Sequence, residues 1–138
     1  MKKTIKLIEM KIILIFLTIF LLISCDSNKV AGWYNTIDGK EITGKPVLTM
    51  KDVVFATLDS CHMDSTDIIY ELSGKFDENG TKKFAEYTKK NIGNMLAFYY
   101  QGKILSAPMI NMKIESGNFS INSKDKMLLK VYEDLSTR

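Results

Sequence analysis

The chain has 138 residues, a formal net charge of +3, two cysteines and one histidine. That length gives room for one modest domain and excludes a multidomain enzyme. The charge is local: Lys2, Lys3, Lys6 and Lys11 against Glu9 place all of the +3 in the first eleven residues. With that segment set aside, fifteen bases face fifteen acids, so composition argues against nucleic-acid binding, which draws on a basic surface to displace counterions from phosphate.

Behind the basic residues, Ile12 to Ile23 holds a single polar side chain, Thr18. A charged start and a short apolar stretch form the pattern of a secretory signal peptide. The stretch is too short for a spanning helix, which takes roughly 20 apolar residues. Leu22-Ile23-Ser24-Cys25 then resembles the bacterial lipobox. The resemblance implies that residues 1–24 are a lipoprotein signal peptide and that Cys25 is lipidated and opens the mature chain. An ordinary signal peptide or an uncleaved anchor that happens to contain Cys25 is the alternative. At about 0.8 kcal/mol per buried methylene, two or more acyl chains hold a small domain stably at a bilayer. The expected location is therefore extracytoplasmic, on a bacterial membrane. Asp26 resembles an inner-membrane retention residue and favours that membrane over the outer one. Residues 25–45 carry Gly32, Gly39 and Gly44 without apolar periodicity and read as a flexible tether. Within it, Trp33-Tyr34 is either an interfacial anchor or an aromatic pair packed on the domain edge.

The domain is expected over residues 46–138. Val53, Phe55 and Thr57 alternate in a first strand, and Ile68, Tyr70, Leu72 and Phe76 in a second. Asp77 is a candidate N-cap for a helix with Phe84, Ala85, Tyr87, Thr88 and Ile92 on one face and Lys82, Lys83, Glu86, Lys89 and Lys90 on the other; Gly93 suits its C-terminal end. Met95 to Tyr100 is a continuous apolar run, as in a buried strand, and Gln101-Gly102 turns it into Lys103-Ile104-Leu105. Pro108 ends that strand. Ile110, Met112 and Ile114 alternate again, Gly117-Asn118 turns the chain, and Phe119 and Ile121 start a return strand. Ser123 is a candidate cap for a last helix carrying Leu128, Val131, Tyr132 and Leu135. The fold class is α+β: an antiparallel or mixed sheet with two helices on one face, a two-layer sandwich.

Two of these stretches carry a family resemblance. Phe76-Asp77-Glu78-Asn79-Gly80, running on through Phe84-Ala85, Thr88 and Asn91-Ile92-Gly93, is similar to the strand-to-helix segment in the head subdomain of the first periplasmic domain of SecD. Gln101-Gly102-Lys103-Ile104-Leu105-Ser106-Ala107-Pro108 resembles that family's Asp-Gly-Lys strand ending in Ser-Ala-Pro, and Asn111 falls where the family has Asn. Phe119 to Ser123 sits at the family's segment before its last helix, and Pro46 to Val53 at the domain opening. Gln101 stands for the family Asp in the hairpin turn and Asn122 for a Gly, and Asn is the next best residue for a left-handed conformation. The resemblance implies a component of protein export whose head holds emerging polypeptide. The base subdomain and six membrane helices of SecD have no counterpart in these residues, so a head on a lipid tether is expected, without the motor.

Other candidates are weaker. Cys61-His62-Met63-Asp64 would suit a soft metal, but neighbouring residues on a strand point to opposite faces and further ligands would have to come from distant methionines. A Cys61–His62 nucleophile pair lacks a third, orienting group. Met50, Met95, Met109 and Met112 are either core fillers or an adaptable surface for apolar peptides. No phosphate loop, carboxylate pair or Ser/His/Asp arrangement stands out; no enzyme, cofactor or resident metal is expected. The leading reading is a membrane-anchored binding module whose partners are the bilayer and translocase components or exported polypeptide. The alternatives are an envelope carrier of a small ligand or metal, and a structural lipoprotein without ligand.

Overall fold

The computed structural model describes residues 2–20, 29–64 and 66–138, the side chains of 14–20 excepted. Cys25, and with it the lipidation reading, lies outside the described residues. Helix α1 covers Lys2–Phe20. No helix of the described residues is long and apolar enough to cross a membrane.

Seven strands follow: β1 (Gly32–Thr36), β2 (Ile42–Thr49), β3 (Val53–His62), β4 (Ile68–Phe76), β5 (Met95–Tyr100), β6 (Lys103–Ser106) and β7 (Asn118–Ser123). Helix α2 (Glu78–Lys90) separates β4 from β5, and α3 (Met127–Ser136) closes the domain. The strands form two sheets, ordered β2-β1-β5-β6 and β3-β4-β7, and every pairing is antiparallel. Helix α2 packs on β2 and β4, and α3 on β3 and β4. The expected α+β sandwich is borne out, with its strands divided between two sheets.

The tether reading needs correction. From Gly32 onward the chain belongs to the domain, and β1 is an inner strand, paired to β2 on one side and β5 on the other. Trp33 and Tyr34 are 5% and 2% exposed. The Trp33 ring meets Phe76 and Phe119 edge-to-face and Phe98 at a tilt, all with centroids within 5 Å, joining the two sheets in one aromatic core. Glycine misled here because Gly32 serves close approach: a Cβ on it would lie 2.3 Å from the Leu48 carbonyl oxygen. The turn to β2 is built as well, with the buried Thr36 hydroxyl donating to the Glu41 carbonyl at 2.6 Å and accepting from the Gly39 N–H at 3.0 Å.

In β3 the burial parity reverses. Val53 opposes Phe76 but Phe55 opposes Lys75, so one extra residue is inserted. This β-bulge turns Val54 and Phe55 outward, 65% and 56% exposed, and gives the inner face to Ala56 and Leu58. The alternation at Ile110, Met112 and Ile114 does not form a strand either. Pro108 cannot donate, and residues 107–117 are held irregularly: the Pro108 carbonyl accepts from Leu96 N–H at 3.0 Å, and Ile110 exchanges backbone hydrogen bonds with Asn94 and Gly93, both at 2.8 Å. Strand β7 therefore returns along β4 and not along 110–114.

The helices follow expectation more closely. The Asp77 carboxylate accepts from the Gly80 N–H at 2.6 Å as the N-cap of α2, and Phe84 and Thr88 are buried. The helix stops at Lys90 with Asn91 as its cap, so Ile92 leaves the apolar face and is 57% exposed. In α3, Leu128 and Val131 are fully buried. Its start departs from expectation: Ser123 ends β7 and Lys126 takes the N-cap position without a side-chain bond, while the Asp125 carboxylate accepts from the Met127 N–H at 2.9 Å and the Ser123 hydroxyl from the Asp125 N–H at 3.2 Å.

Candidate functional site

A cavity of about 300 Å³ opens between the two sheets, beside α2 and under the irregular segment 107–117. Each wall has a local cause. The apolar run of β5 supplies Leu96 and Phe98, β1 supplies Trp33, and the inner face of β7 supplies Phe119 and Ile121. Helix α2 supplies Phe84 and Thr88. Thr88 also fixes the roof: its hydroxyl donates to the Phe84 carbonyl at 2.8 Å and accepts from the Ile114 N–H at 2.9 Å. A second link between layers is the Tyr87 phenol, which donates to Asn35 Oδ1 of β1 at 2.9 Å.

The rim is formed by the motif around Ser106, Pro108 and Asn111, together with Met109 and Met112. These two methionines are 58% and 67% exposed, whereas Met50 is buried in the core and Met95 is half-buried. The four methionines thus divide between the two roles open to them: filling and surface. Flexible thioethers over an apolar floor can adapt to aliphatic or aromatic groups of varied shape. The volume lies at the lower end of small-ligand pockets, about 300–1,000 Å³. No titratable side chain is among the lining residues, so this cavity offers no general acid, base or charged nucleophile.

The remaining candidates lie elsewhere. Cys61 and His62 end β3 opposite Ile69 and Ile68, and Met63 and Asp64 follow in the turn, all four exposed. Among the described residues no group of three or more His, Cys, Asp or Glu side chains is placed to hold a metal. Lys82, Lys83, Lys89 and Lys90 are exposed on α2, with Lys82 paired to Glu78 at 3.0 Å. The most perturbed titration is structural. The Tyr100 phenol is pushed far above its ordinary range by burial and by its 2.5 Å hydrogen bond to Asp134, which in turn holds Asp134 below the usual carboxylate range. Sequence patterning missed Trp33 and the roof contact of Thr88. The signal for Thr88 was a hydroxyl on the apolar face of α2, which must find partners when buried.

The model of the SecDF P1 head subdomain matches residues 35–128. The chain belongs to this family. The SecDF head match begins upstream of residue 46, in agreement with β1 and β2 as parts of the domain, and it encloses every cavity residue except Trp33. The protein translocase subunit SecD of Acidaminococcus fermentans is 33% identical over 90 residues, 64% of this chain and 21% of that protein. SecD of Rickettsia conorii is 30% identical over 115 residues, 79% of this chain and 20% of its own. Among solved structures, SecDF in a super-membrane-facing form aligns with a TM-score of 0.53 at 30% identity, over 65% of this chain and 12% of that one. A second, of SecDF as a membrane component that enhances protein export, gives a TM-score of 0.50 at 30% identity, over 65% and 39% of the two chains. The chain spans about one fifth of the length of these SecD proteins.

Proposed function

We propose that this protein is a lipid-anchored, extracytoplasmic SecDF P1 head that holds segments of exported polypeptide beside a translocase. The observation that carries the reading is the cavity: largely apolar, free of titratable lining, rimmed by the exposed thioethers of Met109 and Met112 and by the Ser106 to Asn111 motif. An apolar side chain of an unfolded chain entering it would leave water at about 25 cal/mol per Å² of buried surface, enough for weak, sequence-tolerant holding. Similarity to SecD supports the export context, and the resemblance of Leu22 to Cys25 to a lipobox supports the anchor.

A photoreactive residue placed at Met112 of the full-length protein in its own membrane tests both parts. Crosslinks to exported chains or translocase subunits are expected, and recovering neither sinks the reading. The anchor is checked by acyl-chain labelling, which should be lost in Cys25→Ser; label retained in that variant would place the lipid elsewhere.

A further inference from the structure

The three-stranded sheet ends in an edge with few of the usual protections. Strand β3 lies at the end of the order β3-β4-β7, and its outer edge pairs with no strand among the described residues. Proteins blunt such edges with proline, lysine or bulges. Here the bulge is confined to Val53–Phe55, from there to His62 the ladder with β4 is regular, and β3 itself holds neither lysine nor proline.

The chemistry beside this edge is one-sided. Asp59 and Glu71 are directly opposed across β3 and β4 and both are exposed, so two carboxylates share one row of the outer face. Like charges so placed repel. Glu71 is partly satisfied by the Ser120 and Ser73 hydroxyls at 2.8 and 3.3 Å, yet neither carboxylate has a lysine or arginine within ion-pair distance among the described residues. Lys75 stands two rows away, opposite the exposed Phe55. A second copy of β3 added to this edge, with its outer face on the same side, would crowd two Asp59–Glu71 pairs into neighbouring rows. An incoming strand with a lysine or arginine opposite Asp59 would instead relieve the repulsion.

We propose that the β3 edge takes up an extended, cationic polypeptide segment as an added strand, with a basic residue opposite Asp59 and an apolar one opposite Phe55. Main-chain hydrogen bonds give sequence-tolerant binding, and the two rows set the preferred spacing. The proposal rests on the reading of this domain as a holder of exported chains and adds to it a class of segment and a second point of contact.

The probe is a short threonine peptide carrying a valine and a lysine at the spacing of Phe55 and Asp59, titrated into the full-length protein at low salt. Binding is expected to weaken about threefold with Asp59→Asn and about tenfold when the peptide lysine is replaced by glutamate, both differences shrinking as salt rises. N-methylation of alternate peptide amides, which removes strand donors without touching the protein, should abolish binding. Equal binding of the N-methylated peptide, or of the lysine and glutamate peptides, overturns the proposal. So does a dimer in sedimentation that the peptide competes away. Met112→Asp separates the two sites: binding lost there but indifferent to N-methylation leaves the cavity reading and removes the edge, while N-methyl-sensitive binding intact in Met112→Asp does the reverse.

Discussion

At Gly117 the backbone has φ +74°, and a Cβ would lie 2.2 Å from the Thr81 hydroxyl oxygen. Both the left-handed conformation and the packing exclude a side chain, and the Gly117 carbonyl also accepts from the Phe76 N–H at 3.0 Å. Gly117→Ala is therefore expected to cost about 2–3 kcal/mol in denaturant unfolding. The Tyr100–Asp134 hydrogen bond gives a pH signature. Asp134 is held below its ordinary value, so its contribution is present above about pH 4 and is lost as pH falls further; Tyr100 is raised, so its contribution is present below about pH 10 and is lost as pH rises. Tyr100→Phe should lower stability by about 1 kcal/mol near neutrality and flatten the profile at both ends; a profile unchanged in shape would refute the link. The glycine turn was legible, but neither contact was, because each depends on a partner distant in the sequence: Thr81 for Gly117 and Asp134 for Tyr100.

Elements were legible where local chemistry and tertiary demand agree. The run Met95 to Tyr100 is almost wholly buried, and Gln101-Gly102, with φ 45° and 84°, makes the expected hairpin to β6. Gln101 is the single non-glycine residue with positive φ among the described residues, where asparagine is better suited. Gln101→Asn should raise stability by about 0.5 kcal/mol in thermal unfolding, and a loss would mean that its contact with the Tyr100 hydroxyl outweighs the backbone gain. Elements were illegible where one residue resets the register. The bulge before Phe55 reverses the face of a strand whose period was read correctly. At 110–114 a period of two marks one buried side chain, Ile110, and one exposed, Met112, in a segment without a ladder. The cavity could not be foreseen for that reason: its roof is the segment that looked like a strand.

At the scale of the molecule, the sandwich depends on what looked like a linker. Trp33 meets rings from β4, β5 and β7, so β1 is part of the nucleus of the core. A chain truncated to begin at residue 46, the boundary suggested by composition, should lose cooperative unfolding in circular dichroism, whereas one beginning at residue 29 should keep it. A cooperative transition in the shorter chain would show that β5 can do without its neighbour. Family membership was legible from two motifs on the scale of ten to twenty residues, since those motifs lie in the hairpin and capped helix that need little tertiary correction. The early start of β1 has a consequence for reach. From Cys25 to Gly32 a fully extended chain spans at most about 24 Å. Acylated at Cys25, the domain would be on a short leash, confined to a shallow layer over the lipid headgroups. It would meet chains as they leave a pore alongside it, at high local concentration, and would pass unnoticed by those released farther out.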